Sequence, residues 1–342
     1  MTKAIALLSG GLDSRLAVKL MLDQGIEVFA LNFTSAFCTC SGGKNKEESG
    51  CKSEARKVST ELNIPLKLMV KGPEYMEIVR NPKFGYGQGI NPCVDCRIYM
   101  FTLAKRYMEE IGASFVITGE VLGQRPMSQR RDAFKTTERE SGLSGLILRP
   151  LCAKHLDPTI PEKTGLVNRE LLLAMEGRSR KPQMKLAETL DMADYPCPSG
   201  GCLLTDKTFA KKVRDLLAYK KDLTMKDLQV LKVGRHFRHD GVKLIVSKNE
   251  AENLKLKNFI QPGDTFLEPM NFTGPAALVC GAEKNNAAGM IGMAGSLILR
   301  YASAKAKDVE NTEIKATSDD STFTFVASER INEAAAEKIR VC

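Results

Sequence analysis

Two groups of residues in this 342-residue chain are suited to chemistry. The first is Ser9-Gly10-Gly11-Leu12-Asp13-Ser14. An apolar run, Ala4 to Leu8, precedes it, and the spacing of Leu16, Ala17, Leu20 and Met21 after it predicts an amphipathic helix. A buried strand, a glycine turn and a helix start make an anion site. Backbone N–H groups point outward and the helix dipole adds positive potential. Ser9 and Ser14 add hydroxyls, and Asp13 is placed to order Mg2+ beside a bound phosphate. The Lys of a Walker A loop is missing. The second group is cysteine. Asn91-Pro92-Cys93-Val94-Asp95-Cys96-Arg97 is a Cys-x-x-Cys pair ahead of a helix, where the helix N-terminus and Arg97 favour thiolate. Cys197 and Cys202 form a second pair in a Pro- and Gly-rich stretch. Spacing leaves three readings open. Cys93, Cys96 and Cys202 hold a 4Fe–4S cluster with one iron open, Cys197 being the alternative third ligand. All four thiols hold structural zinc. Or Cys96 and Cys202 relay a persulfide and close a disulfide. Cys38 and Cys40, with Cys51, are candidates for another metal loop but read better as loop thiols without a fourth ligand, and Cys152, Cys280 and Cys342 as incidental or core residues.

These residues need elements to hold them. To about Leu151 the pattern alternates strand and helix. Strands are expected at Val28–Phe33, Pro65–Val70 and Ser114–Thr118, and helices at Cys51–Leu62 and Tyr99–Ile111. That alternation implies an α/β domain with a parallel sheet covered on both faces. Ligands of such sheets sit at the carboxyl ends of the strands. The ends carrying the glycine loop and Gly119-Glu120 are therefore expected side by side, with a nucleotide between them. Later the alternation changes. A helix at Lys207–Tyr219 is followed by short strands at Val242–Val246, Leu254–Phe259, Thr265–Leu267 and Ala277–Val279. A helix at Asn286–Arg300, a strand at Thr322–Val326 and a helix at Ser328–Ile339 end the chain. This is a smaller α+β domain. The expected divisions are 1–175, a basic segment 176–222 carrying the second cysteine loop, and 223–342.

The net charge of +9 and pI of about 9.0 favour a polyanionic partner. Ten Cys without a secretion signal argue for metal, cluster or redox chemistry rather than a disulfide framework. Three His and no Trp make a His-centred acid–base mechanism a poor fit. The apolar stretch Met290–Leu299 is short and closed by Arg300, so no membrane span is expected. The chain reads as a cytoplasmic protein.

Several motifs then agree in order. Ser9–Ser14 resembles the pyrophosphate (PP) loop of enzymes that split ATP into AMP and pyrophosphate. Thr118-Gly119-Glu120-Val121-Leu122-Gly123-Gln124 with Ser128-Gln129, and then Leu146-Ile147-Leu148-Arg149-Pro150-Leu151, are similar to segments of the tRNA 4-thiouridine synthetase (ThiI) family. Cys93-x-x-Cys96 matches its iron–sulfur-dependent members. The Cys202 region, with Lys181-Pro182 upstream, also looks like the second-cysteine region of the 2-thiouridine synthetases. The resemblance covers roughly residues 1–220. It implies a PP-loop ATP-pyrophosphatase fold and ATP-dependent tRNA uridine thiolation. ATP adenylates a uracil carbonyl oxygen, sulfur attacks that carbon, and AMP leaves. Among the three cysteine readings it favours the cluster on Cys93, Cys96 and Cys202. Sulfide or a persulfide carrier would be the sulfur donor. Ser9, Gly10, Gly11, Asp13 and Ser14 would hold pyrophosphate and Mg2+. Leu31 to Phe33 with Thr118 and Gly119 would hold the adenosine.

The 4-thiouridine synthetases carry an N-terminal tRNA-binding domain; here the added domain follows. Its stretches Val233–Arg238 and Ile245–Asn253 resemble the RNA-binding domain of NFACT-type ribosome-associated proteins, which implies RNA capture. Arg125, Arg130 and Arg131, Arg178, Arg180 and Lys181, Lys211, Lys212 and Arg214, and Arg235 and Arg238 are candidates for a phosphate track. Phe84 and Tyr86 are candidate stacking partners for a flipped uridine. Rival readings are an ATP-pyrophosphatase acting on a small molecule and a non-catalytic, zinc-stapled RNA-binding protein.

Overall fold

The computed structural model describes residues 1–38, 51–192, 201–281, 287–304, 306 and 309–342, the side chains of residues 51 and 52 excepted. Cys40, Cys51 as a ligand, Cys197 and most of the loop expected from Phe37 to Gly50 lie outside the described residues. The chain divides into two compact units, Met1–Asp206 and Lys207–Cys342. The expected 176–222 segment is therefore shared: Cys202 goes with the first unit and the helix at 207–219 with the second.

The first unit runs β1 (Lys3–Leu7), α1 (Leu12–Leu22), β2 (Glu27–Ser35), α2 (Cys51–Glu61), β3 (Leu66–Lys71), α3 (Tyr75–Arg80), α4 (Cys93–Ile111), β4 (Phe115–Thr118), α5 (Arg131–Ser141), β5 (Ile147–Leu148), α6 (Ile160–Lys163) and α7 (Lys181–Thr189). The strands form a parallel sheet in the order β3-β2-β1-β4-β5. Alternation along β1 explains the two layers of core. Ala4, Ala6 and Leu8 pack with Leu16, Ala17 and Met21 of α1 and with Ala187 of α7. Ile5 packs with Phe101 and Ala104 of α4 and with Val116. Strands buried on both faces read as continuous apolar runs, so β1 and β4 stand out in the sequence. The short α3 and β5 and the polar α5 do not. The helix expected to start at Tyr99 starts at Cys93 instead. Pro92 occupies its N-cap, and both cysteines fall in the first turn.

The second unit runs α8 (Lys207–Tyr219), α9 (Met225–Val230), β6 (Arg235–His239), β7 (Val242–Val246), α10 (Glu250–Lys257), β8 (Thr265–Pro269), β9 (Ala277–Cys280), α11 (Ala287–Tyr301), β10 (Glu313–Thr317), β11 (Thr322–Val326) and α12 (Glu333–Ile339). Its antiparallel sheet has the order β11-β10-β8-β9-β7-β6. One face packs on α11 through Met290, Ala294, Leu297 and Ile298. Ile245 on the other face meets Val230, Val233 and Leu256. The segment Leu254–Phe259, expected as a strand, lies mostly in helix α10. Asn249 caps that helix by accepting from the Glu252 N–H, and only Leu256 of it is buried, a one-contact amphipathic pattern that mimics a short strand. Among the described residues no helix is long and apolar enough to cross a membrane.

Candidate active site

The carboxyl ends of β1, β2 and β4 open on a cavity of about 330 Å³ within the first unit. On one side is the glycine loop. Gly10 has φ of +80°, and a Cβ there would lie 2.5 Å from Glu54 Cβ, so glycine lets α2 close on the loop. Gly11 is the N-cap of α1, and among the described residues no side chain caps it. The hydroxyls expected to serve a ligand are tied inside the loop. Ser14 Oγ donates to Gly11 O at 2.9 Å, and Ser9 Oγ accepts from Gly11 N at 3.3 Å. Backbone N–H groups at the start of α1 are thus the anion donors this turn presents. Asp13 is held by Gln124 Nε2 at 3.1 Å and by Arg180 at 3.6 Å. Its Oδ1 is buried without a hydrogen-bond partner, the kind of oxygen donor Mg2+ takes.

Leu31, Asn32 and Phe33 at the end of β2, with Thr118 and Gly119 at the end of β4, line the same cavity. Gly119 is pressed against the glycine loop: a Cβ would lie 2.5 Å from Asp13 C and Ser14 N. The two strand ends expected to be neighbours are in contact.

Cys93, Cys96 and Cys202 line the cavity too. Asn91 Nδ2 donates to Cys93 Sγ and Lys71 Nζ to Cys96 Sγ, each at 3.3 Å. Lys71 also lies 4.9 Å from the ring centre of the buried Tyr75. Cys202 reaches the site because the residues that follow it are tied down. Leu203 N donates to Phe37 O, Ile90 N donates to Leu204 O, and the Cys202 backbone pairs with that of Cys38. Burial pushes the Cys202 thiol up to about 11, so an isolated Cys202 is protonated at neutral pH. Three thiols lining one cavity are the donor set a three-cysteine cluster takes. Among the described residues, no group of three or more His, Cys, Asp or Glu is gathered closely enough to hold a single metal ion. Cys152 and Cys280 are core thiols: burial raises them to about 11 and about 12, and Cys152 Sγ donates to Glu120 O.

At the cavity lining Glu120, 3% exposed, pairs with Arg97, which also lines it, and with Arg149 at 3.2 Å each, and Arg149 also reaches Glu138 at 2.5 Å. Arg125 and Arg180 are the members of the expected phosphate track that line the wall. Desolvation there, then the charges of Arg97 and Arg180, hold Arg125 below its ordinary range, although its outer part stays exposed. Others in that track are committed elsewhere. Buried Lys212 donates to Leu231 O and Gly234 O, Arg238 pairs with Asp215 at 2.7 Å, and Arg235 donates to Ser247 O while lying over Tyr301. Their expected role on a phosphate track is withdrawn: such positions in a sequence do not distinguish a solvated cation from one holding a fold together. Phe84 and Tyr86 do not line the cavity, and Tyr86 Oη donates to Val79 O at 2.6 Å. The sequence reading placed Asn32 within Leu31 to Phe33 but gave no site role to Lys71, Gln124, Ser128 or Gln129, which also line the cavity. The available signal was their place at or just beyond the carboxyl end of a strand.

The fold is a parallel α/β domain of the PP-loop type followed by a smaller antiparallel α+β domain. Residues 1–160 match the family model described as thiamine biosynthesis protein (ThiI), and residues 234–339 match the NFACT protein RNA binding domain. Through these two regions the chain resembles the PP-loop tRNA thiouridine synthetases and the NFACT RNA-binding domain. The probable tRNA sulfurtransferase of Methanothermobacter thermautotrophicus is 34% identical over 123 residues, 36% of this chain and 30% of that protein. The tRNA-specific 2-thiouridylase MnmA of Caldicellulosiruptor saccharolyticus is 24% identical over 232 residues, 64% of this chain and 61% of that protein. The chain thus spans 30% to 61% of the length of these relatives. A crystal structure of a 4-thiouridine synthetase–RNA complex with bound ATP is 20% identical with a TM-score of 0.39, covering 68% of this chain and 52% of that one. At that score the likeness carries no argument.

Proposed function

We propose that this protein is an ATP-dependent RNA sulfurtransferase that thiolates a uridine of tRNA, with 4-thiouridine the favoured product. One observation carries the reading: a single cavity is lined by the uncapped start of α1, by the β2 and β4 ends, and by three cysteines. The glycine loop binds the phosphates of ATP, and Asp13 orders Mg2+. Leu31 to Phe33 with Thr118 and Gly119 hold the adenosine. With its base beside the nucleotide, a uracil carbonyl oxygen attacks the α-phosphorus and pyrophosphate leaves. The carbon then carries AMP as a leaving group, sulfur adds, and AMP departs. Cys93, Cys96 and Cys202 would hold a 4Fe–4S cluster whose fourth iron offers an attachment point for sulfide. Lys71 and Asn91 orient two of those sulfurs. The ThiI match favours position 4 of uracil; the longer alignment with a 2-thiouridylase supports position 2 as the second reading. The C-terminal unit, through its NFACT-type match, captures the RNA.

The test combines anaerobic purification with nucleoside mass spectrometry of RNA from a deletion strain complemented with wild type or Cys96→Ala. Iron and acid-labile sulfide in the wild type, one missing thionucleoside in the deletion strain, and failure of Cys96→Ala to restore it while still binding ATP are expected. A colourless zinc protein, or normal thionucleoside from Cys96→Ala, would overturn the cluster; no missing thionucleoside would overturn the function.

A further inference from the structure

Among the described residues, four that line the cavity each carry a buried polar atom with no hydrogen-bond partner: Asp13 Oδ1, Asn32 Oδ1, Ser128 Oγ and Gln129 Oε1. Buried polar groups are normally satisfied, so orphans in cavity-lining residues point to a ligand that completes them. Two of the four already have a place in the reading above. Asp13 belongs to the phosphate loop. Asn32 lies between Leu31 and Phe33, in the stretch assigned to the adenosine, with its Nδ2 donating to Leu8 O at 2.7 Å.

Ser128 and Gln129 remain. They lie on the connection from β4 to α5 and are 1% and 3% exposed. Their backbone is fixed: Gln129 N donates to Arg125 O at 3.0 Å, and Gly123 N donates to Gln129 O at 2.7 Å. This is a rigid polar pair, not a solvated loop tip. A phosphodiester of an RNA backbone does not satisfy the orphan Gln129 oxygen, because it offers no donor. A nucleobase does. The imide edge of uracil sets an N3–H donor beside a carbonyl oxygen, and a carboxamide sets an acceptor beside a donor.

We propose that Gln129, supported by Ser128, reads the imide edge of the acceptor uracil and is a specificity-determining residue. The Gln129 oxygen accepts the N3–H, its amide nitrogen donates to the adjoining carbonyl oxygen, and the Ser128 hydroxyl donates to the same base. The proposal rests on the RNA-thiolation reading above and identifies what in the cavity recognises the base.

The experiment uses the full chain, purified anaerobically, with unfractionated tRNA from cells lacking its gene. ATP affinity without RNA and tRNA-dependent AMP release are measured for wild type, Gln129→Leu and Ser128→Ala, with thermal unfolding as the fold control. Gln129→Leu is expected to keep ATP affinity within about twofold while tRNA-dependent AMP release falls on the order of tenfold or more, the loss of a bidentate base contact. Ser128→Ala is expected to fall less, in the same direction. If the leucine variant does not fold, Gln129→Glu, which keeps the shape but loses the donor, is expected to lower AMP release likewise. Unchanged AMP release, or an ATP affinity weakened as much as AMP release, overturns the proposal. A wild type that releases no AMP in response to tRNA overturns the thiolation reading itself, which separates the two failures.

Discussion

Gly119→Ala tests whether the β4 end and the glycine loop work as one unit. A Cβ at this position lies 2.5 Å from Asp13 C and Ser14 N and 2.6 Å from Asp13 O, all backbone atoms. Carbon contacts are ordinarily about 3.5 Å or more, so the methyl group demands about 1 Å of separation. Neither side yields easily. Thr118 pairs with Leu7 in the sheet, and Leu12, Ser14 and Leu16 of α1 are buried. Overpacking of this kind costs about 1–3 kcal/mol of stability. The functional effect is larger, because the displaced atoms include the N–H groups that face the phosphate. A misplacement of about 1 Å in a binding constellation costs on the order of 100-fold. Gly119→Ala is therefore expected to fold with a modestly lowered melting temperature and to lose about 100-fold in ATP-dependent AMP formation. Gly292→Ala is the control: its Cβ meets nothing within 4 Å, in α11 of the other unit, so AMP formation is expected to stay unchanged. Wild-type AMP formation by a folded Gly119→Ala protein would refute the argument that these two segments are locked together.

Two further outcomes follow from buried charge. His236 is fully buried, and its ring bonds Val233 O through Nε2 at 2.8 Å; burial, then Lys243 and Lys212, hold its pKa well below 6.5. The unfolded chain therefore takes up this proton first as pH falls, so the stability of the C-terminal unit declines below about pH 6.5. Urea unfolding should show stability falling as pH drops from about 7 to about 5.5, a fall absent in His236→Gln; equal slopes in both proteins would refute it. Arg149→Met removes a partner of Glu120 and of Glu138 in a region where Arg149 is 2% exposed. It should cost about 3–5 kcal/mol in denaturant unfolding of the first unit, and a loss below about 1 kcal/mol would show that the network is solvated.

Much of the first unit was legible in the sequence. Strands buried on both faces are continuous apolar runs, so β1 and β4 and their order with the helices could be read directly, and the glycine loop announced itself between a strand and a helix. The C-terminal unit was harder. Helix α10 buries only Leu256, which leaves no helical stripe to read, and charged residues interrupt the apolar pattern of β6 and β10. The short α3 and β5 lack the length for a period to develop.

The sequence by itself determined the kinds of group available: a glycine turn ahead of a helix, a Cys-x-x-Cys pair, and a later cysteine. Local chemistry is a property of neighbours along the chain, and those motifs are local. Only the tertiary structure decided that Cys202 lines the same cavity as Cys93 and Cys96, because Leu203 and Leu204 hydrogen-bond to Phe37 and Ile90, far away along the chain. It also decided which cations serve the fold, as Lys212 and Arg238 do, and which face the cavity, as Lys71, Arg125 and Arg180 do. That difference is one of burial and partners, which arise from contacts between distant segments and leave no mark on residue type.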